Sequence, residues 1–171
     1  MENKNILSKS NNLQEQAEIY LKSPYSIKAM ELFKNGYNCS QSVFLAFADK
    51  YELSEEAALK ISSSFGGGMG RLREVCGAVT GMFMVAGLLY GYSDPEDHGA
   101  KTEHYKKIQD LAGKFEEINR SIICRVLLGL DVKKDEHVPE QRTAEYYKKR
   151  PCAELVGVAA GIMDEYIKIV E

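Results

Sequence analysis

Residues 64–92 decide the fold, and they read SFGGGMGRLREVCGAVTGMFMVAGLLYGY. From Val75 to Tyr92 the chain runs for 18 residues without a charged side chain, which is close to the length that spans a bilayer. Glycines, a threonine and tyrosines occupy many of the positions where leucine, isoleucine and phenylalanine would favour membrane insertion. The run therefore predicts an apolar helix that is buried on all sides within a protein domain, and it predicts no membrane span.

Four glycines precede this helix, at Gly66, Gly67, Gly68 and Gly70. Glycine adopts positive φ angles without strain and lets other groups approach the backbone closely. We predict that these residues end one helix and reverse the chain. An alternative is that an anion or a cofactor rests on the backbone amides from Gly66 to Arg71. The run is not a P-loop, because no Gly-Lys-Ser/Thr sequence follows it.

Helix signals lie on both sides of the glycine run, and no segment alternates as a strand does. The predicted helix starts are marked by residues that cap or initiate helices: Ser23-Pro24, Asn38, Ser54, Ser121 and Pro151. Apolar residues recur at helical spacing after these starts. We therefore predict an all-α, single-domain bundle of about six to eight helices, packed around the glycine-rich apolar helix.

Two segments depart from this pattern. Residues 1–22 are predicted to be a polar N-terminal extension that is partly helical, and residues 23–171 to be the helical domain that carries all four cysteines. Residues 131–150 are polar and charged. They predict an excursion over the surface, with a short helix between Pro139 and Lys149.

Composition limits the classes of partner. The chain has 171 residues, 44% hydrophobic and 27% charged, as is typical of a single globular domain. Its net charge of −3 comes from interspersed signs, so it lacks the basic face of nucleic-acid-binding proteins. The N-terminus lacks the apolar core of a secretory signal, which predicts a cytoplasmic location. The spacings Gly77-x-x-x-Gly81 and Gly87-x-x-x-Gly91 let another helix come close, and we favour a helix of the same chain over a homo-oligomer.

The candidate functional residues are four cysteines: Cys39, Cys76, Cys124 and Cys152. No two of them form a Cys-x-x-Cys pair, and a single buried cysteine is most often a small core residue. Each, however, falls at or near the predicted N-terminus of a helix. There the free amides and the positive end of the helix dipole stabilise an anion, and the pKa of a cysteine falls to roughly 3.5–7.5. This placement predicts reactive thiols.

The sequence assigns neither the side chains of the arginines near the cysteines nor those of the histidines to a functional site. Arg71, Arg73, Arg125 and Arg150 lie near cysteines in the sequence, but a chain with 22 lysines and arginines places cations near most cysteines by chance. The three histidines are too dispersed to predict a site, and solvated side chains are the simplest interpretation.

The cysteines lie within short recognisable sequences. Cys76 begins Cys-Gly-Ala-Val-Thr-Gly, GYNCSQSV at residues 36–43 contains Cys39, and FGGGMGR occupies residues 65–71. With the single cysteines Cys124 and Cys152, this pattern resembles the C_GCAxxG_C_C family of small redox proteins, from about residue 25 to the C-terminus. The resemblance implies a prokaryotic protein of redox character, and it implies no particular substrate or redox partner.

Four thiols of this kind support three hypotheses. In the first, the four cysteines are the catalytic groups of thiol/disulfide exchange or electron transfer, in a thiol-dependent oxidoreductase that reacts with a partner protein or a small oxidant. Cys76 is then one exchanging thiol, since its glycine neighbours permit close approach. In the second, the same four cysteines ligate a metal or an iron–sulfur cluster. In the third, the chain is a non-catalytic helical interaction domain.

Overall fold

The computed structural model describes residues 2–171, with side chains from Asn11 onward. Its helices are, in chain order, α1 (Glu2–Leu21), α2 (Pro24–Lys34), α3 (Cys39–Ala46), α4 (Glu55–Ser63), α5 (Gly66–Met69), α6 (Gly77–Tyr90), α7 (His98–Asn119), α8 (Cys124–Leu127), α9 (Ala144–Lys149) and α10 (Cys152–Val170). A 3-10 turn, Ala48–Lys50, follows α3. Within residues 2–171 the only β pairing is one isolated antiparallel bridge between Val75 and Ile123. The prediction of an all-α, single-domain fold is confirmed.

Capping side chains determine where several helices begin. The side chains of Ser23, Asn38 and Ser54 each accept a hydrogen bond from a backbone amide in the first turn of α2, α3 and α4. These bonds satisfy amides that have no partner within the helix, and the three starts are as predicted. The predicted start at Ser121 is wrong. Its hydroxyl accepts the amide two residues later, and α8 begins at Cys124.

Two helices form the centre of the core. Helix α6 is buried over residues 77–82, and α10 is buried over residues 155–164. Helix α10 packs against α1, α2, α3, α6 and α7, so the glycine-rich helix shares the central position with it. Phenylalanine, methionine and leucine side chains from α2, α3, α6 and α7 fill the space around the two helices. No helix within residues 2–171 has the length and apolar character needed to cross a membrane.

Small residues allow α3 to lie directly on α6. A Cβ atom placed on Gly81 would be 2.8 Å from the carbonyl oxygen of Ser40, and one placed on Gly77 would be 2.8 Å from that of Phe65. Both distances are too short for any side chain. The first of the two Gly-x-x-x-Gly spacings is therefore filled by an element of the same chain, whereas a Cβ on Gly87 would meet no atom within 4 Å.

The end of α1 is attached to α10. Tyr20 is buried, and its hydroxyl donates a hydrogen bond of 3.0 Å to a carboxylate oxygen of Glu165. A Cβ on Gly161 would lie 2.4 Å from the carbonyl oxygen of Tyr20, so the backbones come into close contact here. The division of the chain at residue 22 stays a prediction.

The strap, which we define as residues 131–150, leads from α8 to α10. Its regular part is α9, which begins at Ala144 because Thr143 caps it, so the helix predicted from Pro139 starts later than expected. The strap is also more than a surface excursion. The Tyr147 hydroxyl donates to the carbonyl oxygen of Lys34 at 3.2 Å, and other strap side chains reach inward to the cavity described next. Sequence polarity alone gave no indication of this inward packing.

Candidate functional site

A cavity of about 200 Å³ lies where the N-terminal ends of α3, α6, α8 and α10 meet. All four cysteines line it. The wall also contains four arginines, one glutamate, part of the glycine run and several leucines. The cavity thus combines thiols with positive charge and an apolar surface.

Each cysteine stands at the N-terminal end of a helix, which is the position that the sequence predicted. Cys39, Cys124 and Cys152 are the first residues of α3, α8 and α10, and Cys76 is the N-cap of α6. The helix ends bring together residues that are far apart in the sequence. Their assignment as reacting groups stays a prediction.

Cys39 and Cys152 influence each other's ionisation. The Cys152 thiol is the largest influence on the Cys39 thiol and lowers its pKa. Burial opposes this effect, but the positive charge of Arg142 and the backbone amide of Gly67 assist, and the pKa of Cys39 falls from 9.0 to about 7. The Cys39 thiol in turn raises the pKa of Cys152, which therefore keeps its proton. Near pH 7 the pair consists of a partly ionised Cys39 and a buried, neutral Cys152.

Cys76 and Cys124 are less suited to react first. Burial is the main cause that raises the pKa of each, so both are neutral thiols near pH 7. Their backbone amides flank the isolated bridge, where Cys76 donates to the carbonyl of Ile122 at 2.8 Å and Cys124 to that of Glu74 at 2.6 Å. The structure thus favours Cys39 over Cys76 as the less buried thiol with the lower pKa.

Arg73 is a buried cation beside Cys124. The side chain is buried, with the residue only 2% exposed, and its Nη1 lies 3.8 Å from the Cys124 sulfur. Its Nη2 donates to a carboxylate oxygen of Asp135 in the strap at 2.6 Å. Its buried Nε has no hydrogen-bond partner among the described residues. One donor of a cavity-lining arginine is therefore unsatisfied.

Ion pairs attach the strap to the glycine run. Besides its pair with Arg73, Asp135 lies 2.9 Å from Nη2 of Arg71. Glu140 lies 3.8 Å from the same nitrogen and also pairs with Arg150. Two strap carboxylates thus hold three of the four arginines in the cavity wall.

The fourth arginine, Arg142, is held without a carboxylate. It donates to the carbonyl oxygens of Phe33 at 3.3 Å and of Tyr37 at 3.2 Å. Its guanidinium carbon lies 4.4 Å from the centre of the Phe33 ring and 5.1 Å from that of Tyr146, within the range of cation–π contacts. None of the ion pairs found among residues 11–171 involves Arg142, so no carboxylate offsets its charge beside the cavity.

The glycine run forms one wall of the cavity. Gly66, Gly67, Gly68 and Arg71 line it, whereas Gly70 ends α5 in a left-handed conformation outside it. Gly68 has a φ of +70°, and a Cβ there would lie 2.6 Å from the Cβ of Cys124. The run therefore both turns the chain and makes room for a cysteine. The assignment of these residues to cofactor binding stays a prediction.

Sequence reasoning underestimated the arginines. Arg71, Arg73 and Arg150 line the cavity, although their proximity to cysteines in the sequence was attributed to chance, whereas Arg125 does not line it. Arg142 also lines the cavity, and the sequence did not single it out. The one available signal was the presence of acidic residues and arginines together in the strap. No spacing rule pairs a residue such as Asp135 with Arg73, which is 62 positions away.

No group of three or more histidine, cysteine, aspartate or glutamate side chains is placed to hold one metal ion in the part of the chain that the structure describes. The Cys124 sulfur instead lies near Arg73, and Cys152 lowers the pKa of Cys39.

Comparison with known proteins agrees with this site. No curated protein and no solved structure matches the chain. A family model described as "Putative redox-active protein (C_GCAxxG_C_C)" matches residues 37–166, which is well over half of the chain and includes all four cysteines. The protein therefore belongs to the C_GCAxxG_C_C family of redox-active proteins.

Proposed function

We propose that the protein is a thiol–disulfide oxidoreductase in which Cys39 is the attacking thiol and Cys152 the resolving thiol. The observation that carries the proposal is that Cys39 and Cys152 begin α3 and α10 in the wall of one cavity, where Cys152 is the main cause that lowers the pKa of Cys39 to about 7. Thiolates, and not thiols, attack disulfides. Cys39 is the one cysteine of the four that is not fully buried, and it lines the cavity that an oxidised substrate would enter.

The reaction has two steps. The Cys39 thiolate attacks a substrate disulfide, so that a bond forms between Cys39 and one substrate sulfur while the substrate S–S bond breaks. The departing thiolate takes a proton from solvent. Cys152 then attacks Cys39, its proton passes to the second departing sulfur, and a Cys39–Cys152 disulfide forms. Two electrons move from the protein to the substrate, and two substrate thiols leave.

This function is compatible with the remaining predictions about the chain. Residues 23–171 would be the redox domain, with residues 1–22 as an extension that lies outside the matched family region. Reduced thiols that cycle in catalysis are typical of the cytoplasm, where we place the protein in a prokaryotic cell.

The test is to identify the disulfide that forms. Protein purified without oxygen is treated with a small excess of hydroxyethyl disulfide, its free thiols are counted, and its peptides are mapped by mass spectrometry. We expect two of the four thiols to be lost, with Cys39 joined to Cys152. Cys39→Ser should abolish this loss and Cys124→Ser should leave it unchanged. A disulfide confined to Cys76 and Cys124 would refute the proposed pair.

The same sample tests the metal alternative. Iron or zinc at stoichiometric amounts, with visible absorption in the case of a cluster, would replace thiol exchange by ligation as the function of the four cysteines.

A further inference from the structure

The charges around the cavity are unbalanced. Four arginines lie in its wall, against one carboxylate in the wall, Glu140, and a second behind it, Asp135. Two positive charges are therefore in excess while the thiols are neutral, and one remains in excess when Cys39 is ionised. A small cleft lined by one sign of charge concentrates ligands of the opposite sign and raises their rate of association.

Two arginines have donors that the protein leaves unused. The described bonds of Arg142 use two of its five N–H donors, and its planar group is already held in place by two aromatic rings. Arg73 has a buried Nε without a partner in the described chain. The unused N–H groups of Arg142 are therefore the donors that a ligand in the cavity can engage.

The remaining wall limits the size and nature of the ligand. Leu127, Leu128 and Leu155 add an apolar surface to the wall, which suits a carbon chain better than an inorganic ion. The cavity volume of about 200 Å³ is below the roughly 300–1,000 Å³ of sites that enclose drug-sized ligands. The ligand is therefore a small organic molecule with an anionic end.

We propose that the cavity binds a small organic disulfide that bears a carboxylate, with the carboxylate on Arg142 and the sulfur atoms against Cys39. The proposal names the substrate class of the proposed function and rests on it. Planar guanidinium groups bind carboxylates through paired hydrogen bonds, so Arg142 would select and orient such a molecule. Reaction then follows the two steps given above, and the products are two carboxylate-bearing thiols.

The first measurement compares two disulfides of similar size and different charge. Dithiodiglycolate is a dianion and hydroxyethyl disulfide is neutral, and the rate of Cys39 loss is followed for each by alkylation and mass spectrometry. We expect the dianion to react at least about tenfold faster at low salt, the effect of a hydrogen bond to a charged group. Added salt should reduce this ratio, because it screens the attraction.

Variants separate binding from thiol reactivity. Arg142→Gln should also raise the pKa of Cys39, but this change slows both reagents alike and cancels in their ratio. We expect Arg142→Gln to lower the ratio towards one and Arg142→Lys to retain only part of it, because lysine keeps the charge but cannot make the paired hydrogen bonds. Arg120→Gln removes an exposed arginine that does not line the cavity and should leave the ratio unchanged. If Arg142→Gln does not fold, the ratio of the two reaction rates in the wild type and its dependence on salt still test the proposal.

A binding measurement needs no thiol chemistry. Thiodiglycolate and thiodiglycol are the corresponding thioethers, which cannot exchange, and calorimetry on the reduced protein should detect the dianion binding at least about tenfold more tightly. Equal reaction rates with equal or undetectable thioether binding would overturn the substrate class while leaving thiol exchange intact. Tight binding of the dianion to a protein whose thiols react with neither disulfide would keep the anion site and overturn the proposed function.

Discussion

Removal of the Cys152 thiol tests the basis of Cys39 reactivity. Cys152→Ala deletes the group that most lowers the pKa of Cys39, whereas Cys152→Ser keeps a hydrogen-bond donor at nearly the same place. We expect the pKa of Cys39 to rise from about 7 towards its ordinary value of 9.0 in the alanine variant and to stay low in the serine variant. Burial, which raises this pKa, and Arg142, which lowers it, remain in both variants.

The size of the effect follows from two opposing factors. At pH 7 a thiol with a pKa of about 7 is roughly half ionised, whereas one with a pKa of about 9 is roughly 1% ionised, a difference of about fiftyfold. A thiolate whose pKa is about two units lower is intrinsically about eightfold less nucleophilic. Cys39 should therefore react about sixfold faster at pH 7 than an equally exposed ordinary cysteine, and Cys152→Ala should lose most of this advantage.

The assay is the rate of alkylation by iodoacetamide between about pH 5 and about pH 10, followed at Cys39 by peptide mass spectrometry. Iodoacetamide is neutral, so the positive charge of the cavity does not steer it. The wild type and Cys152→Ser should both show an inflection near pH 7. An inflection near pH 9 in the wild type, or one that does not move in Cys152→Ala, would refute the assigned cause.

Three further experiments test the helix packing and the attachment of the strap. In chemical denaturation, Gly68→Ala should lower the free energy of unfolding by more than Gly129→Ala does. Both residues have a positive φ, which costs an alanine about 1–2 kcal/mol, but only the new Cβ at position 68 meets a neighbouring atom. Gly81→Ala should destabilise the fold, because the new Cβ meets the backbone of α3, whereas the Cβ of Gly87→Ala has free space and should stabilise the fold by about 0.5–1 kcal/mol. Equal effects of the two changes would contradict the packing of α3 on α6. The pKa of Asp135 is lowered by a hydrogen bond from an arginine, so its stabilisation is present above the ordinary value of about 4 and is lost as pH falls below it. Proteolysis of the strap should increase over that acidic range in the wild type, and Asp135→Asn should show the increase already at neutral pH.

The parts of the fold that the sequence predicted are those with local causes. Capping by Ser23, Asn38 and Ser54 depends on neighbours within three residues, and the burial of α6 depends on its own lack of charge. The sequence predicted the position of each cysteine at the start of its own helix, but it did not predict how the four helix starts come together. Which pair would interact could not be predicted, because the Cys39–Cys152 contact depends on how α3 and α10 pack.

The parts that were missed depend on contacts between distant segments. Ser121 has the chemistry of an N-cap, but the bridge between Val75 and Ile123 holds the next residues extended and delays α8 to Cys124. The arginines became part of the site through ion pairs with the strap, whose polarity resembles that of any solvated loop. The polarity of a segment indicates that its side chains can be hydrated. It does not indicate whether they form ion pairs with residues elsewhere in the chain.

The strap and the core beneath it are held by different forces, and salts act on the two forces in opposite directions. Ions screen the pairs that Asp135 and Glu140 make with the cavity arginines, which weakens the attachment of the strap. Strongly hydrated salts such as sulfate at the same time strengthen the burial of apolar side chains around α6 and α10. A sulfate salt should therefore loosen the attachment of the strap while it stabilises the helices that position the cysteines, and we expect it to make the site more accessible without unfolding the protein.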